Sequence, residues 1–164
     1  MTKNSGFSLV EMQVALIAAA IMALAIGAVT STGIDLFNKS RQEASSFDDM
    51  SYSFRMIQGE VRKSSSISSA TCSGTDWVAG SSCLNVVFGA TTGVFGVKQV
   101  GSSERRFVYS VSGADQILFR MTTEDNNLAF SIPSLSANQV TVTLGWRVNK
   151  QDYSVAHTVT RRLP

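Results

Sequence analysis

The chain has 164 residues, with 14 Lys and Arg against 12 Asp and Glu and a formal net charge of +2. That length suits one modest domain plus an appendage, and the balanced charge gives no strong electrostatic case for nucleic acid. Two cysteines and one histidine leave almost no basis for a metal cluster built from Cys and His.

The apolar residues are unevenly placed. Ala, Ile, Leu, Met and Val crowd between Leu9 and Ile34, and the 23 residues from Met12 to Ile34 carry no charge. As a helix, that stretch would run roughly 35 Å, enough to cross a hydrocarbon core of ~30 Å. Its many alanines, with Leu and Met, favour helix. The short polar flank before it holds one basic residue, Lys3. Positive charge there keeps that end cytoplasmic, so the C-terminal body is expected to be exported. A secretory signal peptide would have a shorter apolar run followed by a small-residue cleavage site. A plain signal anchor explains the length but not Glu11, a carboxylate just inside the run that calls for a partner.

Helical spacing continues past Ile34. Phe37, Ala44, Phe47, Met50, Phe54, Ile57 and Val61 form an apolar stripe, with charged residues on the other face. Asp35 with Lys39 and Glu60 with Lys63 are spaced as helical ion pairs. No proline interrupts from Phe7 to Val61, so one helix is expected from about Phe7 to about Lys63, ending in Ser64-Ser65-Ser66. Gly27, Gly33 and Gly59 are places where it could bend.

After Ser64 the texture turns to Gly, Ser, Thr and period-two runs. Leu84–Phe88, Arg106–Val111, Gln116–Met121, Val140–Val148 and Tyr153–Val159 read as strands. Ser112-Gly113-Ala114-Asp115 and Asn149-Lys150-Gln151-Asp152 read as hairpin turns. The expected architecture is α+β, an antiparallel sheet laid on the second half of the helix. Cys72 and Cys83 fall in the exported part, where an oxidising compartment would let them pair; two free buried thiols are the alternative. His157 has no ligand-spaced Cys, Asp or Glu near it in sequence and reads as structural. Thr123-Glu124-Asp125-Asn126-Asn127 offers oxygens of the kind calcium takes, but such stretches are usually solvated turns, so no metal or cofactor is assigned. The arginine doublets Arg105-Arg106 and Arg161-Arg162 read as a solvated rim, with DNA contact the weaker alternative. Phosphate-loop, nucleophile-elbow and zinc-protease motifs do not occur, so no enzyme is expected.

The hexamer Gly6-Phe7-Ser8-Leu9-Val10-Glu11, directly before the apolar run, resembles the processing motif of type IV prepilins: Gly, Phe, a Thr or Ser, two aliphatics and Glu. The resemblance covers the N-terminal third. It implies a pilin-like fold in which residues 1–6 are a leader, 7–34 the membrane and assembly half of the helix, 35–63 the half packed on the head, and 64–164 the β head. It implies that prepilin peptidase cuts between Gly6 and Phe7, that Phe7 is N-methylated, and that Glu11 pairs with the terminal amine of a neighbouring subunit. Removing one partner of a buried ion pair costs about 3–5 kcal/mol, so such a pair acts as a register device rather than a net stabiliser. The implied partners are other pilin or pseudopilin subunits, the peptidase, an inner-membrane assembly platform and, before assembly, the lipid bilayer. The implied location is the bacterial inner membrane with the head outside, then a pilus or pseudopilus. Residues Phe54 to Ser69 loosely look like minor pilins of the PilW type and minor pseudopilins of the J type. A minor subunit is the first expectation, and a major pilin, or an exported membrane-anchored binding module that never assembles, the alternative.

Overall fold

The computed structural model describes residues 8–102, 104–122 and 127–162. The element order is one helix, α1 (Leu9–Lys63), then eight strands: β1 (Ser66–Thr71), β2 (Ser82–Phe88), β3 (Thr91–Val100), β4 (Glu104–Val111), β5 (Ala114–Thr122), β6 (Ala129–Leu135), β7 (Gln139–Val148) and β8 (Gln151–Thr160). The fold is α+β and pilin-like. Two compact units meet in the chain between Arg41 and Gln42, within α1.

The first unit is the N-terminal part of α1. Its large apolar side chains are exposed on every side, from Leu9 and Val10 through Leu16, Ile17, Ile21 and Met22 to Val29 and Ile34. No single face is favoured, which is the pattern of a helix that lipid or other protein must cover. Near the end of the apolar run the hydroxyls of Thr30, Ser31 and Thr32 donate to the carbonyls of Ile26, Ala28 and Ala28 at 2.8, 3.0 and 2.9 Å. Each polar group is therefore satisfied by its own helix, as a low-water surrounding requires.

The second unit holds the rest of α1 and two antiparallel sheets, ordered β1-β2-β3-β4-β5 and β6-β7-β8. The sequence led to the expectation of one sheet; two form, and they share one core. Phe107 of β4 lies 5.0 Å from Phe130 of β6, and Phe119 of β5 lies 6.4 Å from Trp146 of β7, ring centre to ring centre. Met50, Phe54, Ile57 and Val61 of α1 are buried in the same cluster. The apolar stripe expected from Phe37 is thus shorter. Phe37 and Ala44 are exposed, and Phe47 remains 42% exposed while its ring edge meets Trp146 and Tyr153, both at 5.4 Å. Of the two expected ion pairs on α1, Glu60–Lys63 forms at 3.4 Å, and among the described residues Asp35–Lys39 does not.

Serines pass the chain from helix to sheet. The Ser64 amide bonds the Glu60 carbonyl at 3.0 Å and its hydroxyl bonds the Val61 carbonyl at 2.8 Å, closing the last turn. One residue on, the Ser65 amide already bonds the Val87 carbonyl of β2 at 2.7 Å. Ser66, expected in the turn, is therefore the first residue of β1. Both expected hairpins form, each with a tighter turn. Only Ser112-Gly113 and Asn149-Lys150 are unpaired, and all four have positive φ, the two-residue turn whose twist matches the strands. Ala114, Asp115, Gln151 and Asp152 belong to the ladders.

Strand β3 contains two glycines that permit close approach rather than a turn. A Cβ on Gly93 would lie 2.4 Å from the Tyr109 hydroxyl, and one on Gly96 would lie 2.7 Å from Trp77 and 2.8 Å from the Cys83 sulfur. Strand β6 carries Pro133 at an irregularity between Ser131 and Ser134, where a missing amide leaves no broken ladder bond.

Candidate functional site

The residues singled out by sequence fall into three places. Gly6 and Phe7, the expected cleavage and methylation positions, lie outside the described residues. So do Thr123–Asn126 of the oxygen-rich stretch, whose last member, Asn127, hydrogen-bonds Asp152.

Glu11 stands at the start of α1. The Ser8 amide donates to Glu11 Oε2 at 2.9 Å, and the Glu11 amide donates to Ser8 Oγ at 3.3 Å. This is a reciprocal capping box, in which two orphan helix donors are satisfied by each other's side chains, and a negative charge sits at the positive end of the helix dipole. The signal was present in the sequence as Ser8-Leu9-Val10-Glu11, a Ser followed three positions later by Glu before an apolar run. The carboxylate therefore has a local partner within its own chain. One of its oxygens makes that bond, and among the described residues no donor reaches the second.

The apolar segment that follows is the one helical stretch, among the described residues, long and apolar enough to cross a membrane, and its most apolar window has no buried residue. Around it are no charges from Met12 to Ile34, and at its N-terminal edge is the capped acid. Such a surface is one that lipid or other apolar helices can cover. Because lipid tails are as apolar as leucine, a choice between the two turns on packing and polar bonds rather than on release from water.

In the head, Cys72 and Cys83 are joined by a disulfide, Cα to Cα 5.0 Å, so the free-thiol alternative does not hold. The bond joins cysteines 11 positions apart, closing a loop that carries Trp77, and a loop of this size contributes roughly 2–4 kcal/mol. Lys98 lies 4.9 Å above the Trp77 ring and bonds Asp115 at 2.7 Å, fixing the loop against β3 and β5. His157 is half-buried with its ring 5.4 Å from Phe54, a packing role. Tyr109 donates to Glu60 at 3.0 Å across the helix–sheet interface. Its phenol is pushed up to about 12, first by burial and then by the Glu60 hydrogen bond and charge. The doublets divide. Arg106 is paired with Glu104 at 2.6 Å, and the Arg106 hydrogen bond holds the Glu104 carboxyl below its ordinary range. Arg105 bonds Gln99 and the Leu128 carbonyl, at 3.2 and 3.3 Å. Arg161 reaches back to the Ser65 carbonyl and to Asn138, a long-range link that sequence reading missed because nothing local marks it.

Compared with known proteins, the chain is matched by no family model, no curated protein and no solved structure.

Proposed function

We propose that this chain is a type IV prepilin-like structural subunit and not an enzyme. A cytoplasm-facing peptidase would cut between Gly6 and Phe7, the Phe7 amine would be methylated, and the apolar half of α1 would leave the bilayer to pack among related helices in a pilus or pseudopilus. Its partners are then sister pilin or pseudopilin subunits and the inner-membrane platform that assembles them. A minor subunit is the favoured role. The observation that carries the reading is the pairing of an all-round apolar, uncovered helix with a single acid at its N-terminal edge, directly after the Gly6-Phe7 motif.

The capping box sharpens the test. Glu11→Ala would remove charge and cap together, whereas Glu11→Gln keeps a side chain able to cap and removes only the charge. Mass spectrometry of the native protein is expected to find a chain starting at methylated Phe7. Glu11→Gln is expected to be trimmed and methylated normally, to stay in the membrane, and to be missing from sheared filaments. A start at another residue defeats the family reading. Normal incorporation of Glu11→Gln leaves Glu11 as a helix cap and nothing more.

A further inference from the structure

Four cations converge where the end of α1 meets the end of the chain's last strand. Arg62 and Lys63 from the last helical turn, and Arg161 and Arg162 from the residues after β8, line an open cleft of about 740 Å³ whose other wall includes half-buried Phe88 and Gly89. Basic residues in a last helical turn are partly explained by the negative end of the helix dipole. That accounts for Arg62 and Lys63, not for a second doublet brought in from about a hundred residues away.

Among the described residues, no carboxylate lines this cleft. Elsewhere the head neutralises arginines: Arg106 and Arg120 share Glu104, and Arg147 faces Asp152. Among the described residues, Lys63 here has only the 3.4 Å contact to Glu60, with 71% of its side chain exposed. Among the same residues, Arg62 and Arg162 have no acid within ion-pair distance. Arg161 is held in place by neutral acceptors alone, the Ser65 carbonyl and Asn138 Oδ1, while its amide is fixed to the Asn138 carbonyl at 2.7 Å. Its Nε is buried without a hydrogen-bond partner among the described residues. A guanidinium that is oriented but not neutralised, beside three more cations, is a charge arrangement completed from outside.

We propose that this cleft binds a multiply charged phosphate group. Three arginine forks and an ammonium around one space suit an anion with several acceptor oxygens and more than one negative charge, which a phosphate supplies and a single planar carboxylate does not. The volume lies within the roughly 300–1,000 Å³ of small-molecule sites. A nucleic-acid track is less well supported, since the four cations meet at one spot instead of following a groove. The site is independent of how α1 is covered.

The test uses the full chain in neutral detergent micelles at ~0.15 M salt, where long-range attraction is screened. Isothermal titration is made with inorganic pyrophosphate and, separately, with micelles containing phosphatidic acid. Saturable one-to-one binding of either probe supports the site. Pyrophosphate binding names a soluble ligand, and phosphatidic acid binding alone names a lipid headgroup. Arg62→Gln and Arg162→Gln are each expected to weaken binding about tenfold with unchanged thermal unfolding, as loss of one charged hydrogen bond implies. Arg55→Gln, an exposed arginine of α1 outside the cleft, is expected to leave affinity unchanged. The proposal is overturned if neither probe saturates, if the two cleft variants bind like the parent, if Arg55→Gln loses as much as they do, or if only a DNA duplex binds.

Discussion

The two parts of α1 put similar residues to opposite uses. Ile21 and Ile57 are the same amino acid in the same helix, yet Ile21 is 62% exposed and Ile57 is 0% exposed. What differs is the company. Around Ile21 apolar residues occupy all faces and none of them is buried. Around Ile57 the neighbours at three and four positions, Phe54 and Val61, make one stripe that two sheets cover, while Arg55 and Gln58 face outward or sit at the margin. Burial is thus a property of periodicity, not of apolar content.

This comparison can be broken by changing each isoleucine in turn. Ile57→Ala opens a cavity in the shared core and is expected to cost about 3–4 kcal/mol of head stability, with membrane retention unchanged. Ile21→Arg is expected to do the reverse: head unfolding stays where it was, and insertion loses about 3 kcal/mol, as for an arginine near the centre of a span. Denaturant unfolding in micelles followed through Trp146, with membrane fractionation alongside, reads both. If Ile57→Ala also releases the protein from membranes, or Ile21→Arg also unfolds the head, the two parts of the helix are not the separate devices described here.

How much of this was legible in the sequence also divides along the same line. The helix, its lower stripe and the hairpins β4–β5 and β7–β8 could be read because local periodicity and turn chemistry encode them. Strand β3 could not, because Gly93 and Gly96 look like turn residues until Tyr109, Trp77 and the disulfide are seen pressing on them. Strand β6 was hidden by Pro133 and its serines, whose cost is absorbed by a bulge. Strand β1, Ser66–Thr71, is exposed along nearly its whole length and so shows no hydrophobic alternation. The capping box was there to be read, and the drawing together of the two basic doublets was not, since it depends on where β8 ends in space.

A smaller effect probes how the buried stripe is tied to the sheet. The Tyr109 hydroxyl and Glu60 form a hydrogen bond of 3.0 Å at the margin of the core. The folded phenol is raised from its ordinary 10.0 to about 12. A raised value means that folding favours the protonated form. The stabilisation is therefore fully present below pH 10 and is lost as pH rises through about 12. Tyr109→Phe is expected to cost about 1 kcal/mol at neutral pH and to flatten this alkaline fall. A wild-type fall that the variant retains in full would assign the alkaline loss to other groups. No comparable effect is expected in the first unit, where no tyrosine occurs.

The smallest expected change is a gain, confined to the head. The turn between β7 and β8 places Asn149 at φ 52° and Lys150 at φ 66°. Asparagine tolerates the left-handed region; lysine enters it at a steric cost that glycine does not bear. The strands hold the conformation: Val148 pairs with Gln151, and the two-residue turn between them takes the form with both φ positive. Lys150→Gly should relieve that strain, offset in part by the greater freedom of glycine in the unfolded chain. The net expectation is a stabilisation of about 0.5–1 kcal/mol in denaturant unfolding, with membrane retention and filament incorporation unchanged. Loss of stability would mean that the Lys150 side chain contributes more to the head than its strained backbone costs. The two units would then differ less sharply than their burial indicates, because an exposed turn would carry part of the head's stability.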